Sequence, residues 1–134
     1  MSRAASAVGV RPFLRFCAVG VVGFLVDVGC TLLLTQVAAL PPLPARIAAF
    51  IVAATITWGL NRRYTFKSVA GLGSWVPYVL LTGVGALINI GVYWTWLAWA
   101  GIGSRSIVGG VAAGSVAALG FNFFASRAIF VKSL

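Results

Sequence analysis

Four long apolar stretches, broken by short polar or proline-containing gaps, fill this chain of 134 residues. A helix rising 1.5 Å per residue needs roughly 20 mostly apolar residues to cross about 30 Å of hydrocarbon. The pattern predicts spans over 13–39, 45–63, 75–99 and 106–128. The second is the shortest and reaches full length only by running into Asn61-Arg62-Arg63. Pro41-Pro42-Leu43-Pro44 stops the first span, and the breaks 40–44 and 101–105 are tight, so each consecutive pair reads as a helical hairpin. A longer polar, glycine-containing gap, 65–74, separates the hairpins. The expectation is an all-α membrane protein with four transmembrane helices in a single membrane domain, 1–134.

The two halves repeat. Phe16–Gly29 and Tyr78–Gly91 share Val22/Val84, Gly23/Gly85, Leu25/Leu87 and Gly29/Gly91, and Asn89 stands where Asp27 stood. The ends of the second arms also match, Arg63-Tyr-Thr-Phe66-Lys67 against Arg127-Ala-Ile-Phe130-Val-Lys132. Repeat one covers 13–67 and repeat two 75–132. Each holds an even number of spans, so the repeats run parallel, related by an axis along the membrane normal.

Composition agrees: 61% of residues are hydrophobic and only 8% charged, far from a soluble domain. The net charge of +9 comes from ten Lys and Arg against one acid. Arg3, Arg11, Arg15, Arg62, Arg63, Lys67, Arg127 and Lys132 fall on one side of the predicted spans, and Arg46 and Arg105 on the other. The positive-inside rule then puts both termini in the cytoplasm. This division among membrane flanks also argues against nucleic acid as a partner. The apolar run after Arg15 exceeds an ordinary signal-peptide core and reads as a retained span.

Helical spacing sorts the polar residues into stripes. Span one aligns Gly20, Gly23, Asp27 and Thr31; span three aligns Thr82, Gly85, Asn89 and Tyr93; span four offers Gly110-x-x-x-Gly114, Ser115, Asn122 and Ser126. Small residues beside polar ones let backbones approach while side chains bond across helices. Asp27, Asn61, Asn89 and Asn122 form a candidate polar membrane seam. An ionised group there costs about 2.5–3.5 kcal/mol on insertion scales, so it is either a structural pair or part of a pathway. Arg62, Arg63, Arg127 and Lys132 are candidate phosphate-binding residues, because guanidinium matches phosphate oxygens in bidentate fashion. Their plain alternative is topological, as snorkelling flank residues. Phe66 and Phe130, three positions after Arg63 and Arg127, are placed to meet acyl chains.

No histidine and two separated cysteines leave no ligand set for a metal or haem, and no cofactor is expected. Cys17 and Cys30, about 20 Å apart on one helix, do not pair. One carboxylate and no nucleophile–base set leave nothing for acid–base or covalent catalysis, so an enzyme is not expected.

Leu14-Arg15-Phe16-Cys-Ala-Val-Gly20 with Val26-Asp27, then Asn61-Arg62-Arg63-Tyr64-Thr65-Phe66, then Asn122-Phe123 with Arg127-Ala-Ile-Phe130, resemble the GtrA-like family from about Leu14 to Lys132. Ala128 departs from it, standing where the family often carries a second aromatic. The resemblance implies a multi-pass protein of the bacterial inner membrane that moves a polyprenyl-phosphate-linked sugar for cell-envelope polysaccharide or glycan synthesis. The phosphate would be gathered by the arginines while the sugar passes the polar seam. Four helices cannot enclose so large a lipid, so a homodimer or a partner is expected. The alternative is a non-transporting scaffold or accessory subunit for a membrane glycosyltransferase. An exporter resembling the small multidrug resistance proteins is a third reading, with Asp27 its only candidate acid, and the one-sided charge weighs against the antiparallel assembly common among those exporters.

Overall fold

The computed structural model describes residues 9–131. They form four helices, α1 Val10–Leu32, α2 Pro42–Leu60, α3 Trp75–Ala100 and α4 Ser104–Val131. With their terminal turns, the apolar segments are Val10–Val37, Pro42–Thr65, Leu72–Ala100 and Ser104–Val131, each long and apolar enough to cross a membrane. The second does run through Asn61-Arg62-Arg63, as its length required.

α1 and α2 end alike. Each widens into one π-helical turn, Leu33–Val37 and Asn61–Thr65, and each closes on a residue in the left-handed region. Those residues are Ala39 (φ 54°) and Lys67 (φ 47°). The following amides reach back, Leu40 N to Leu34 O at 2.9 Å and Ser68 N to Arg62 O at 2.8 Å, which satisfies carbonyls the helix end would otherwise leave bare. Pro42 opens α2, where its missing N–H costs nothing. α3 ends at Gly101, whose φ of 79° suits glycine.

Each hairpin is zipped by small residues. Ala45, Ala49 and Ala53, one turn apart on α2, are buried and bring that helix close to α1. In the second hairpin the sequence's Gly110-x-x-x-Gly114 receives side chains from α3: Tyr93 and Trp96 lie over Gly110, and Asn89 over Gly114. Asn122 returns the favour by lying over Gly85.

The hairpins are joined by rings. Phe16, Phe66, Tyr78, Phe123 and Phe130, with Ala70, make one buried cluster drawing on every helix or its terminal turn. Phe66 and Phe130 stack with centroids 5.6 Å apart, and Phe130 is 0% exposed. The acyl-chain contact expected for these two is thus replaced by contact with each other, because aromatic faces of both hairpins converge at the arginine-rich end. Elsewhere the surface is apolar, as a lipid-facing surface must be; Leu25 and Leu87 are 64% and 68% exposed.

Candidate functional site

A cavity of about 240 Å³ lies between the helices, with Phe16 and Tyr78 of the aromatic cluster in its lining. All four helices line it, and its polar wall holds Asp27, Thr57, Asn61, Tyr78, Thr82 and Asn122. Three of the four expected seam residues therefore meet in one space. The fourth, Asn89, is absent from the lining and packs on Gly114 within the α3–α4 seam.

A directional hydrogen-bond chain fixes the inner end of this wall. Thr65 donates to Asn61 Oδ1 at 2.8 Å, Asn61 Nδ2 to the Tyr78 hydroxyl at 3.0 Å, Tyr78 to Thr57 Oγ1 at 3.0 Å, and Thr57 to the Ala54 carbonyl at 3.1 Å. Each hydroxyl donates one hydrogen bond, and α2 is tied to α3. Satisfied buried polar groups of this kind are required where water is scarce.

Asp27 has a partner that spacing did not reveal. Arg46 Nη1 donates to Asp27 Oδ2 at 2.9 Å and also reaches Thr31 Oγ1 at 3.4 Å. Thr31 in turn donates to the Asp27 carbonyl at 2.7 Å. Asp27 is 24% and Arg46 57% exposed at the side chain. Asp27 Oδ1 is buried without a hydrogen-bond partner, as is Asn122 Oδ1. Asp27 and Asn89, matched in sequence, are not a pair in space. Counted from the α1–α2 turn, Asp27 lies about 15 Å inward and Arg46 about 6 Å, so the guanidinium runs toward the membrane interior rather than out to the interface.

At the other end, Arg62, Arg63, Lys67 and Ser68 surround an open basin of about 400 Å³. Arg62 is braced there: Nε donates to the Ala70 carbonyl at 2.5 Å and the guanidinium lies over the Trp58 ring, 5.4 Å from its centre. Arg63 sits over Tyr64, also at 5.4 Å. Ser68 donates to the Phe130 carbonyl at 2.6 Å, pinning the basin to the end of α4. Arg127 is not among the basin residues, and its Nε is buried without a hydrogen-bond partner. Lys132 lies outside the described residues. Arg46, Lys67 and Ser68 were read from sequence only as flanks or loop. For Lys67 a signal existed, since it closes the basic run that Arg62 opens.

Four bilayer-length apolar helices around a polar-lined cavity define a small multi-pass membrane protein. The chain belongs to the GtrA/DPMS transmembrane domain family, whose model matches residues 15–131. Membership relates it to membrane proteins of polyprenyl-phosphate sugars. No match is found among curated proteins or among solved structures.

Proposed function

We propose that the chain translocates a polyprenyl-phosphate-linked sugar across the bacterial inner membrane for cell-envelope polysaccharide or glycan synthesis. The observation that carries this reading is the polar-lined cavity shared by all four helices, with a cationic basin opening at Arg62, next in the chain to the cavity's Asn61. Phosphate would be held at the Arg62–Arg63 end, taken as cytoplasmic from the charge distribution, while the sugar follows the wall of Asp27, Asn61 and Asn122 and the prenyl chain stays in lipid. Arg127 and Lys132 complete the cationic end in this reading, and Asn89 keeps α3 and α4 in register. The chain performs no covalent chemistry.

The hairpins act as parallel repeats. Phe66 and Phe130, matched in the two halves, stack on each other, which is how equivalent positions meet about an axis along the membrane normal. A space of about 240 Å³ is small for a sugar lipid, so a second copy or a membrane glycosyltransferase completes the path.

A groove on α3, lined by Ile88, Gly91, Val92, Thr95, Trp96 and Trp99, favours a second reading, a scaffold that docks a glycosyltransferase without transport. The exporter reading loses ground, because Asp27 is engaged by Arg46 rather than free for a cation.

The test is movement of a labelled polyprenyl-phosphate sugar in proteoliposomes holding this chain alone, beside Asp27→Asn and Arg63→Ala. Movement that a variant abolishes supports translocation; no movement by correctly folded protein transfers the case to the scaffold.

A further inference from the structure

We propose that segment 62–68 is a seat for a dianionic phosphomonoester, with Lys67 as its third cation beside Arg62 and Arg63. The inference rests on the reading of this end as a lipid-phosphate site, and it adds which phosphate and which residue.

Charge is the first argument. Three cationic side chains share one basin. The chain has a single carboxylate side chain, Asp27, and that one is bound to Arg46. No acidic side chain is left to compete for the basin, so an anionic ligand would meet its three cations unopposed. A sugar joined to a prenyl chain through phosphate is a diester with one negative charge. The unloaded prenyl phosphate is a monoester carrying about 1.5 to 2 near neutral pH. Three cations complement the second better than the first.

Geometry is the second. Arg62 is held by the Ala70 carbonyl and by Trp58, so little side-chain freedom remains to be lost on binding. Lys67 occupies a left-handed backbone position (φ 47°), where glycine is the favoured residue. Its ammonium is carried at a conformational cost that glycine would not incur. Ser68, next in sequence, anchors the turn to α4 and fixes where Lys67 emerges.

A seat of this kind holds the empty carrier more tightly than the loaded one. The loaded carrier, as a diester, has about one negative charge fewer than the monoester and is held more loosely in the basin.

The experiment is calorimetric titration of the full chain in phosphatidylcholine nanodiscs, with empty discs subtracted. The probes are citronellyl phosphate, its methyl diester and inorganic phosphate. At pH 7.5 the monoester is expected to bind about tenfold tighter than the diester, equivalent to about 1.4 kcal/mol. The preference should collapse at pH 5, since the dianion of a phosphomonoester takes up a proton near pH 6 and becomes a monoanion like the diester. With no histidine in the chain, and arginine and lysine the only charged side chains around the basin, that change belongs to the ligand. Lys67→Gly should bring the monoester close to the diester while leaving the thermal midpoint unchanged or raised; Lys67→Arg should retain the preference.

Equal binding of the two esters, a preference indifferent to pH, or one that survives Lys67→Gly overturns the proposal. Inorganic phosphate that competes at concentrations similar to the prenyl ester identifies free phosphate as the ligand; competition only in large excess identifies the lipid head group. Either supports the seat. Sugar-lipid movement in proteoliposomes is scored separately. Lost movement with the preference intact removes transport and spares the seat, and intact movement without the preference removes the seat alone.

Discussion

Removing Arg46 should hurt this protein more than removing the acid it neutralises. In Arg46→Gln, Asp27 remains largely buried and loses the contact that spans 2.9 Å. A lone aspartate at the centre of a span costs about 2.5–3.5 kcal/mol on insertion scales, which is the ceiling. The pair is not at full depth, with Asp27 about 15 Å from the α1–α2 turn and Arg46 about 6 Å, which lowers its worth to about 1–2 kcal/mol. In Asp27→Asn the orphan is a long, half-exposed arginine near a helix end, free to swing outward at little cost, about 0.5 kcal/mol or less. The double variant should then resemble Asp27→Asn, with a coupling energy equal to the cost of Arg46→Gln, about 1–2 kcal/mol. Equilibrium unfolding in mixed micelles, followed by far-ultraviolet circular dichroism, measures all four proteins. Asp27→Asn costing as much as Arg46→Gln, or additive effects in the double variant, would refute the argument.

Three further outcomes are expected from the packing. Gly114→Ala places a Cβ 2.6 Å from the Asn89 carbonyl oxygen, a backbone atom that cannot step aside, and should destabilise the α3–α4 seam by about 1–3 kcal/mol in the same unfolding assay. Gly20→Leu is the contrasting case: its Cβ meets nothing within 4 Å although Gly20 lines the cavity, so the fold should persist while sugar-lipid movement in proteoliposomes falls. Tyr78→Phe removes the link between Asn61 and Thr57 and should cost about 1–3 kcal/mol, read as a lower unfolding midpoint with the helix content of the native state unchanged.

The four spans were legible because lipid leaves the backbone no alternative to long helices, so length and hydropathy alone locate them. Asp27 and Asn122 were legible as seam residues, since helical spacing puts each near small residues; Asn61 was named with them without a small-residue face of its own. The Arg46 pairing was not legible. The two residues sit at unequal depth from their shared turn, and only a long side chain running inward closes the gap, which no periodicity encodes. Of the basin, Arg62 and Arg63 were legible as candidate phosphate-binding residues, but its shape was not. It depends on the π-helical turn at Asn61–Thr65 and the left-handed Lys67, and neither carries a glycine or proline to announce it. Phe66 and Phe130 were read as lipid-facing because each alone is an apolar residue after a flank arginine. Their stacking becomes visible only when both hairpins are placed together.

That stack bears on how the basin and the cavity communicate. The basin is lined by Arg62, Arg63, Lys67 and Ser68, the cavity by Asn61, Phe16 and Tyr78 among others, and Phe66 of the aromatic cluster sits in the chain just before Lys67. On the transport reading, this cluster is the candidate barrier to a head group passing from basin to cavity. Phe66 comes from the first hairpin and Phe130 from the second, so separating the hairpins at this end parts the rings in the same motion. The cost is considerable: truncation of a buried phenylalanine is worth about 3–5 kcal/mol, and Phe130 is fully buried. Phe130→Leu should therefore be the informative change. It keeps the core filled while removing the stack, at about 1–1.5 kcal/mol in stability. If the cluster is the barrier, this variant moves sugar lipid faster than the native chain despite being less stable. Slower movement, in step with the loss of stability, would assign the rings to holding the hairpins together and nothing more.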